Sequence, residues 1–276
     1  MGSGQSAVTR QAAVIGHPID HSLSPVLHRA AYDALGLDWS YTAVDVTADE
    51  VVDFVAGRDE SWVGLSVTAP LKQAILPTLD RVSPLARRVG AVNTVLFAGD
   101  GSRSGDNTDV AGILSALDEV RSVGDVSTLA IIGAGGTAAA ALVAAHELGV
   151  EQVLVCARRM DAAQQLVQAV SPGAPQVLEW SDRDAALDAD VVIVTLPGDA
   201  AAGLVSDLPL DPGILLDVTY SPWPTTLAAA WQETGGAVAG GHRMLLWQAV
   251  EQVRLMTGLE PPVAAMDAAL QRALSG

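Results

Sequence analysis

The sequence predicts an α/β protein of two modules with a helical tail. Three observations carry that expectation. Short apolar runs alternate with Ala-rich helical stretches, the pattern of a parallel sheet joined by crossover helices. A glycine-rich turn, GAGGTA, lies mid-chain between an apolar run and an alanine run. The last stretch, Met244 to Leu274, reads as helix and holds no strand.

The first series of strands is Ala12–Ile15, Tyr41–Val46, Val63–Thr68 and Asn93–Phe97, with helices Pro25–Leu35, Ala48–Val55 and Leu71–Ile75 between them. A turn-rich piece, GDGSRSGDNTD, runs from Gly99 to Asp109, and a helix over Val110–Val120 leads into the second series. Its strands are Leu129–Ile132, Gln152–Cys156, Val191–Thr195 and Ile214–Val218. The division falls near Thr108. Residues 1–108 form an α/β domain with a mainly parallel sheet, and 109–240 a Rossmann-type domain. Residues 241–276 are helices that return to the first domain, since nothing in them extends the second sheet.

Half of the 276 residues are hydrophobic, so a sizeable core is expected. The formal net charge of −17 argues against nucleic acid or an anionic membrane as a partner, because phosphate repels such a surface. No apolar run is long enough to span a bilayer, and no secretory segment opens the sequence; the expected location is cytoplasmic. Met1–Ser6 fits an N-myristoylation pattern, but equally a disordered start. The lone cysteine, Cys156, closes the run QVLVC and reads as a buried strand residue. No His or Cys group has the spacing of a metal site.

In TLAIIGAGGTAAAAL, Gly133, Gly135 and Ala138 fit G-x-G-x-x-G/A between a strand and a helix. The first glycine makes the turn, the second lets backbone approach a pyrophosphate, and the small third residue lets helix and strand pack. An NAD site offers an acid at the end of the following strand. Here the residues are CARRMD: Arg158 and Arg159 stand in its place, and Asp161 lies too far into the next helix. A guanidinium pair suits a 2′-phosphate, so NADP is favoured over NAD, the alternative being a solvated basic turn.

Chemistry-bearing residues gather in the first domain. GHPIDHSLSPVLHRA, residues 16–30, sets polar side chains where a strand ends and a helix begins. Small hydroxyls at such a point suit a carboxylate. A Ser24 cap followed by Pro25 at a first helical position would explain those two residues, but leaves His21 and Ser22 unexplained. SVTAPLK, residues 66–72, marks another strand-to-helix turn, with Pro70 at a first helical position and Lys72 in the first turn. The helix dipole disfavours a lysine charge there, which lowers its pKa unless a carboxylate offsets it. Asp109, in DNTD, offers one, and a Lys–Asp pair could hold and exchange a proton. Singly, each is an ordinary surface charge.

The ordered blocks GHPIDHSLSPVLH, SVTAPLK, AVNT, GDNTD, GAGGTAAA, DVTYSP and GHRMLLWQA together resemble the shikimate dehydrogenase family nearly end to end. The resemblance implies that Ser22 and Ser24 hold the substrate carboxylate, and that Thr68, Asn93, Asp109 and Gln248 hold ring hydroxyls. It implies Lys72 as catalytic acid/base with Asp109 as partner, and Tyr220 near the carboxylate. Gly133, Ala134, Gly135, Gly136, Ala138, Arg158, Arg159 and Val218 would bind NADP, with Gly241 and Met244 beside the nicotinamide.

Three regions depart from the family pattern. Ser66 stands where Asn is frequent. Ala157-Arg158-Arg159 replaces Asn-Arg-Thr, and Ala162 replaces a further arginine. His242 and Arg243 stand where small or apolar residues are common; His17, His28 and His146 read as packing or surface groups.

The implied activity is reversible NADP-linked reduction of 3-dehydroshikimate to shikimate, by a monomer or homodimer. A quinate or dual-specificity dehydrogenase is the rival within the class, though a threonine at Ser24 would be its hint. A non-catalytic NADP-binding regulator is the rival outside it, and needs neither Lys72 nor Asp109.

Overall fold

The computed structural model describes residues 10–120, 126–170 and 175–275. The myristoylation-like segment Met1–Ser6 lies outside the described residues. From the N-terminal side run β1 (Arg10–Gly16), α1 (Ser24–Ala34), β2 (Trp39–Asp45), α2 (Val51–Ala56), β3 (Trp62–Val67), α3 (Leu71–Ala74) and β4 (Arg81–Val82). There follow α4 (Pro84–Val89), β5 (Thr94–Phe97), β6 (Arg103–Asp106), α5 (Asp109–Asp118), β7 (Thr128–Ile132), α6 (Gly136–Glu147), β8 (Gln152–Cys156) and α7 (Met160–Val170). The rest is β9 (Gln176–Leu178), α8 (Arg183–Leu187), β10 (Val191–Val194), α9 (Gly198–Ala201), β11 (Ile214–Asp217), α10 (Thr226–Glu233), β12 (Ala237–Gly240), α11 (Gly241–Thr257) and α12 (Val263–Leu274).

The chain forms two compact units. Unit 1 holds the described residues up to Ser83, Val92–Asp106, and those from Ala249 onward; unit 2 holds Pro84–Ala91 and the described residues of Asn107–Gln248. Pro84–Ala91 falls in unit 2 because α4 packs on α6 and α7, and Val89 and Ala91 join the core built on the alanines of α6.

The sheet of unit 1 has the order β2-β1-β3-β5-β6-β4. Pairing is parallel for β1–β2, β1–β3 and β4–β6, and antiparallel for β3–β5 and β5–β6. Residues 12–16 of β1 are buried without alternation, as in a strand covered on both faces. Against this sheet lie Leu27, Ala31 and Tyr32 of α1, and α1 packs on α12 through a face that includes Met266 and Leu270.

The sheet of unit 2 is parallel throughout, in the order β12-β11-β10-β7-β8-β9. Read from the far edge, its strands run third, second, first, fourth, fifth, sixth, the doubly wound order of a Rossmann sheet. Strand direction reverses its progress between β7 and β10, and ligands of such sheets bind outside the strand ends at that point.

The structure departs from the sequence expectations at several places. The turn-rich piece contains a strand, β6, whose RSGD side chains carry no apolar signal; its backbone supplies the ladder to β5. The tail agrees with the expectation of helices: it is two, separated where Gly258 takes a φ of 69° ahead of Pro261 and Pro262. The helix expected from Ala48 begins at Val51, after a turn in which the Glu50 carboxylate accepts from Thr47 N and Oγ1. Ser24 is not the cap of α1: Leu23 is, Ser24 is the first helical residue, and Pro25 follows it. Pro70 is likewise the cap of α3 rather than its first residue. Because α3 closes after four residues, the dipole argument made for Lys72 has little helix to act on.

Candidate functional site

In unit 1 the chemistry-bearing residues collect at one end of the sheet. Gly16 ends β1, Thr68 follows β3, and Asn93 precedes β5, which runs antiparallel to β3. Backbone bonds lock these ends together: Thr68 N to Ile15 O at 2.9 Å, Val67 N to Asn93 O at 2.7 Å, and Val92 N to Lys72 O at 2.8 Å. Thr68 and Lys72 are partly exposed, whereas Asn93 is buried. Ser22 precedes α1, and its Oγ accepts from Ser24 N at 3.4 Å. Ser24 is buried, and the cap residue Leu23 makes no side-chain bond to α1.

Behind Ser24 and Asn93 lies a buried polar cluster. Tyr41 donates to Ser66 Oγ at 2.5 Å, and Ser66 donates to Gln252 Oε1 at 2.6 Å. Gln252 Nε2 donates to Asn93 O and to Thr94 Oγ1, each at 3.1 Å. His28 Nε2 lies 3.2 Å from Gln252 Oε1, and its ring stacks on Tyr41 at 4.0 Å. Complete burial pushes the His28 pKa down to about 3, outweighing the Gln252 bond that raises it, so the ring stays neutral. Burial raises the Tyr41 phenol well above its ordinary value; its hydrogen bonds with Ser66 and Ser24 oppose that rise. The sequence reading missed Tyr41 and Gln252. The available signal was Gln252 standing four residues, one helical turn, beyond Gln248.

In unit 2 Asp109 is the first residue of α5 and only 4% exposed. A carboxylate suits a helix N-terminus. Asn107 positions this turn: its Oδ1 accepts from Asp109 N at 3.0 Å, and its Nδ2 donates to Ala91 O at 3.0 Å. Gln248 Nε2 donates to Leu245 O within α11.

The glycine motif forms the turn between β7 and α6. Gly133 has a φ of 128°, and a Cβ there would fall 2.2 Å from Thr195 Oγ1. At Gly135 an added Cβ would meet nothing within 4 Å, so protein packing does not require that glycine. The space left open is what a pyrophosphate would use, and the twelve-residue α6 begins there without a side-chain cap. Gly136 is the first residue of α6, Ala134 is partly exposed between the glycines, and Ala138 is fully buried in the core. Arg158 and Arg159 follow β8 and are exposed. These residues fit a dinucleotide with an extra phosphate.

The DVTYSP segment is held by Asp217, which is fully buried. Its Oδ2 accepts from Thr225 Oγ1 at 2.6 Å and its Oδ1 from Thr219 N at 3.0 Å. Burial raises its pKa against those bonds. Val218 and Tyr220, carried by this segment, are partly exposed, and burial raises the Tyr220 phenol. A Cβ at Gly241 would lie 2.2 Å from Val218 O, so only glycine lets the start of α11 meet this segment. Met244 is buried one turn later. Cys156 is fully buried, and burial pushes its thiol up to about 11, against a reactive role. His28 is buried, while His17, hydrogen-bonded to Asp45 at 2.8 Å, and His146 are exposed. No group of three or more potential metal ligands occurs among the described residues.

An α/β unit joined to a Rossmann unit with a glycine-rich first turn has the architecture of a dinucleotide-dependent oxidoreductase. Residues 14–95 match the shikimate dehydrogenase substrate binding domain, and 241–271 the shikimate 5'-dehydrogenase C-terminal domain. Residues 128–221 match the family described as NADP oxidoreductase coenzyme F420-dependent. The shikimate dehydrogenase (NADP(+)) of Oleidesulfovibrio alaskensis is 38% identical over 272 residues, covering 95% of each chain. The crystal structure of Mycobacterium tuberculosis shikimate dehydrogenase superimposes with a TM-score of 0.87 at 41% identity, covering 95% of this chain and 99% of the other. A shikimate 5-dehydrogenase from Thermus thermophilus, in complex with NADP(H) and shikimate, has a TM-score of 0.81 at 32% identity, covering 96% and 100%. The chain belongs to the shikimate dehydrogenase family.

Proposed function

We propose that this protein catalyses the reversible NADP-dependent reduction of 3-dehydroshikimate to shikimate. The observation that carries the reading is Lys72 held beside Asn93, through the Val92 N–Lys72 O bond, in a unit that also presents Ser22, Ser24 and Thr68. The nucleotide, when held there as NADPH, would supply the hydride that the ring carbonyl carbon needs. Lys72, as ammonium, gives its proton to the oxygen that becomes the hydroxyl, and takes one back in the oxidative direction. The family resemblance assigns Asp109 as the partner of Lys72, and Thr68, Asn93, Asp109 and Gln248 to the ring hydroxyls. Ser22 and Ser24 bind the carboxylate, and Tyr220 contacts the substrate near it.

Gly133, Ala134, Gly135, Gly136 and Ala138 seat the pyrophosphate, Arg158 and Arg159 the 2′-phosphate, and Val218, Gly241 and Met244 the nicotinamide. The acidic composition and the lack of a membrane-spanning helix among the described residues fit a cytoplasmic enzyme of small molecules. The test is a spectrophotometric screen of shikimate and quinate against NADP⁺ and NAD⁺. Fastest turnover of shikimate with NADP⁺ is expected, and no turnover of shikimate would overturn the assignment.

A further inference from the structure

His242 stands where small or apolar residues are common in the family, and in unit 2 its ring has a defined neighbour. β11 and β12 are parallel, with Asp217 opposite Gly240. The segment 218–225 leaves the end of β11, and α11 leaves the end of β12. Ligands of such sheets bind beyond these carboxyl ends. The Asp217 carboxylate fixes the two ends of the segment, accepting from Thr219 N and from Thr225 Oγ1, the oxygen that caps α10. Between those ends stands Trp223. Its ring meets the His242 ring edge to face, with centroids 5.1 Å apart and planes at 66°. The backbone makes room for both: a Cβ at Gly240 would fall 2.3 Å from His242 Cε1 and 2.8 Å from Trp223 Cζ2. Both rings are half-buried. The first turn of α11 therefore meets the segment twice, through Gly241 against Val218 O and through His242 against Trp223.

We propose that His242 is a positioning residue for the nicotinamide half of the dinucleotide. Its ring, packed on Trp223, holds the segment 218–225 against the head of α11, so that Val218 keeps its place relative to Gly241 and Met244. The role is one of packing and asks no proton transfer of the imidazole. The inference rests on the reading that Val218, Gly241 and Met244 seat the nicotinamide.

The test compares NADP⁺ with adenosine 2′,5′-bisphosphate, which keeps the 2′-phosphate end and lacks the nicotinamide. Titration calorimetry gives the Kd of each for the full chain and its variants. His242→Ala should weaken NADP⁺ about threefold to tenfold, the size of one aromatic contact, and leave the bisphosphate unchanged. Trp223→Ala should do the same, and His242→Ala added to it should have little further effect, because both act through one contact. His242→Phe, which keeps a ring, should recover most of the loss, and His242→Asn should not. Met244→Ala tests the underlying reading: if it leaves the ratio of the two Kd values unchanged, these residues do not seat the nicotinamide. If Met244→Ala moves the ratio and His242→Ala does not, the positioning role is wrong. It is equally wrong if His242→Ala weakens both ligands alike, or if the His242→Ala and Trp223→Ala effects simply multiply. Should His242→Ala not fold, His242→Phe against His242→Asn decides the same question: equal ratios overturn the proposal.

Discussion

Arg243 grips Glu119 with two guanidinium nitrogens, Nε at 2.6 Å and Nη2 at 2.5 Å. Trp247 Nε1 adds a third bond to the same carboxylate at 2.8 Å. The contact fastens the first turns of α11 to the end of α5, so Arg243, which departs from the family pattern, serves as a fork to a carboxylate. Both side chains are less than one-third exposed, which limits solvent screening. Glu119→Ala should cost about 1–2 kcal/mol, below the full range for charge-assisted bonds because the pair is still partly wet. Arg243→Lys should recover little of the stability lost in Arg243→Ala, since an ammonium cannot make the fork. Urea denaturation reads both, and an Arg243→Lys protein as stable as the parent would contradict the account.

His28 makes stability depend on pH. The unfolded state binds its proton below about pH 6.5, while the folded state refuses it down to about pH 3 because the ring is buried. The contribution is therefore present above pH 6.5 and drains away as pH falls from there towards 3. Between pH 7 and pH 5 the loss should be about 2 kcal/mol. Tyr32 and Tyr41, the titratable groups against the ring, stay protonated throughout, since burial raises both. A His28→Gln variant should show a pH 7-to-5 difference in unfolding free energy smaller by about that amount. Identical differences in variant and parent would mean that another group carries the effect.

Lys72→Ala should lose turnover far more than binding. Removing a positioned acid/base costs about 10²–10⁴-fold in kcat. Steady-state kinetics with shikimate and NADP⁺ measures it, and a kcat equal to the parent's removes Lys72 from the chemistry.

Ser22→Ala and Ser24→Ala should act chiefly on KM. A hydrogen bond to a charged group is worth roughly 1.5–3 kcal/mol, so each variant should weaken shikimate by about one to two decades. Ser24 makes no side-chain cap to α1, so Ser24→Ala should affect helix stability little, whereas Ser22 Oγ also accepts from Ser24 N and its loss can touch the helix start as well. Unchanged shikimate KM in both variants would leave the two hydroxyls without a substrate role.

What was legible in the sequence was local. Gly133 and Gly135 announce themselves because one backbone conformation and one open space are both encoded within three residues. The polar strand ends of unit 1 were legible as blocks, since each carries its polar residues in sequence order. Strand β6 was not, because RSGD joins its sheet through backbone groups that any residues supply. Gln252 was marked only by its place one turn beyond Gln248, because its partners Thr94 and His28 lie 158 and 224 positions away. The role of Arg243 was hidden for the same reason, with Glu119 lying 124 positions earlier.

Arg158 should set the cofactor preference, with Arg159 in support. Both follow β8, the strand beside β7, and both are exposed, where an NAD enzyme would carry an acid. NADPH brings a further phosphate of about −1.5 to −2 charge, as other phosphate monoesters do at neutral pH, whereas the 2′-hydroxyl of NADH uses a guanidinium poorly. Arg158→Ala should raise the KM for NADPH and leave that for NADH nearly unchanged. Exposure means that salt screens part of the interaction, so the preference should shrink by about tenfold to a hundredfold and the effect should itself weaken at high ionic strength. Arg159→Ala should do less, since its side chain starts one residue further into the turn, directly before α7. Ala162 stands where the family pattern has a further arginine, so this turn offers one arginine fewer to a 2′-phosphate. The measurement is kcat/KM with both cofactors for the parent and the two variants. A parent that uses NADH better than NADPH, or an Arg158→Ala variant with the parent's preference, would show that this turn does not read the 2′-phosphate.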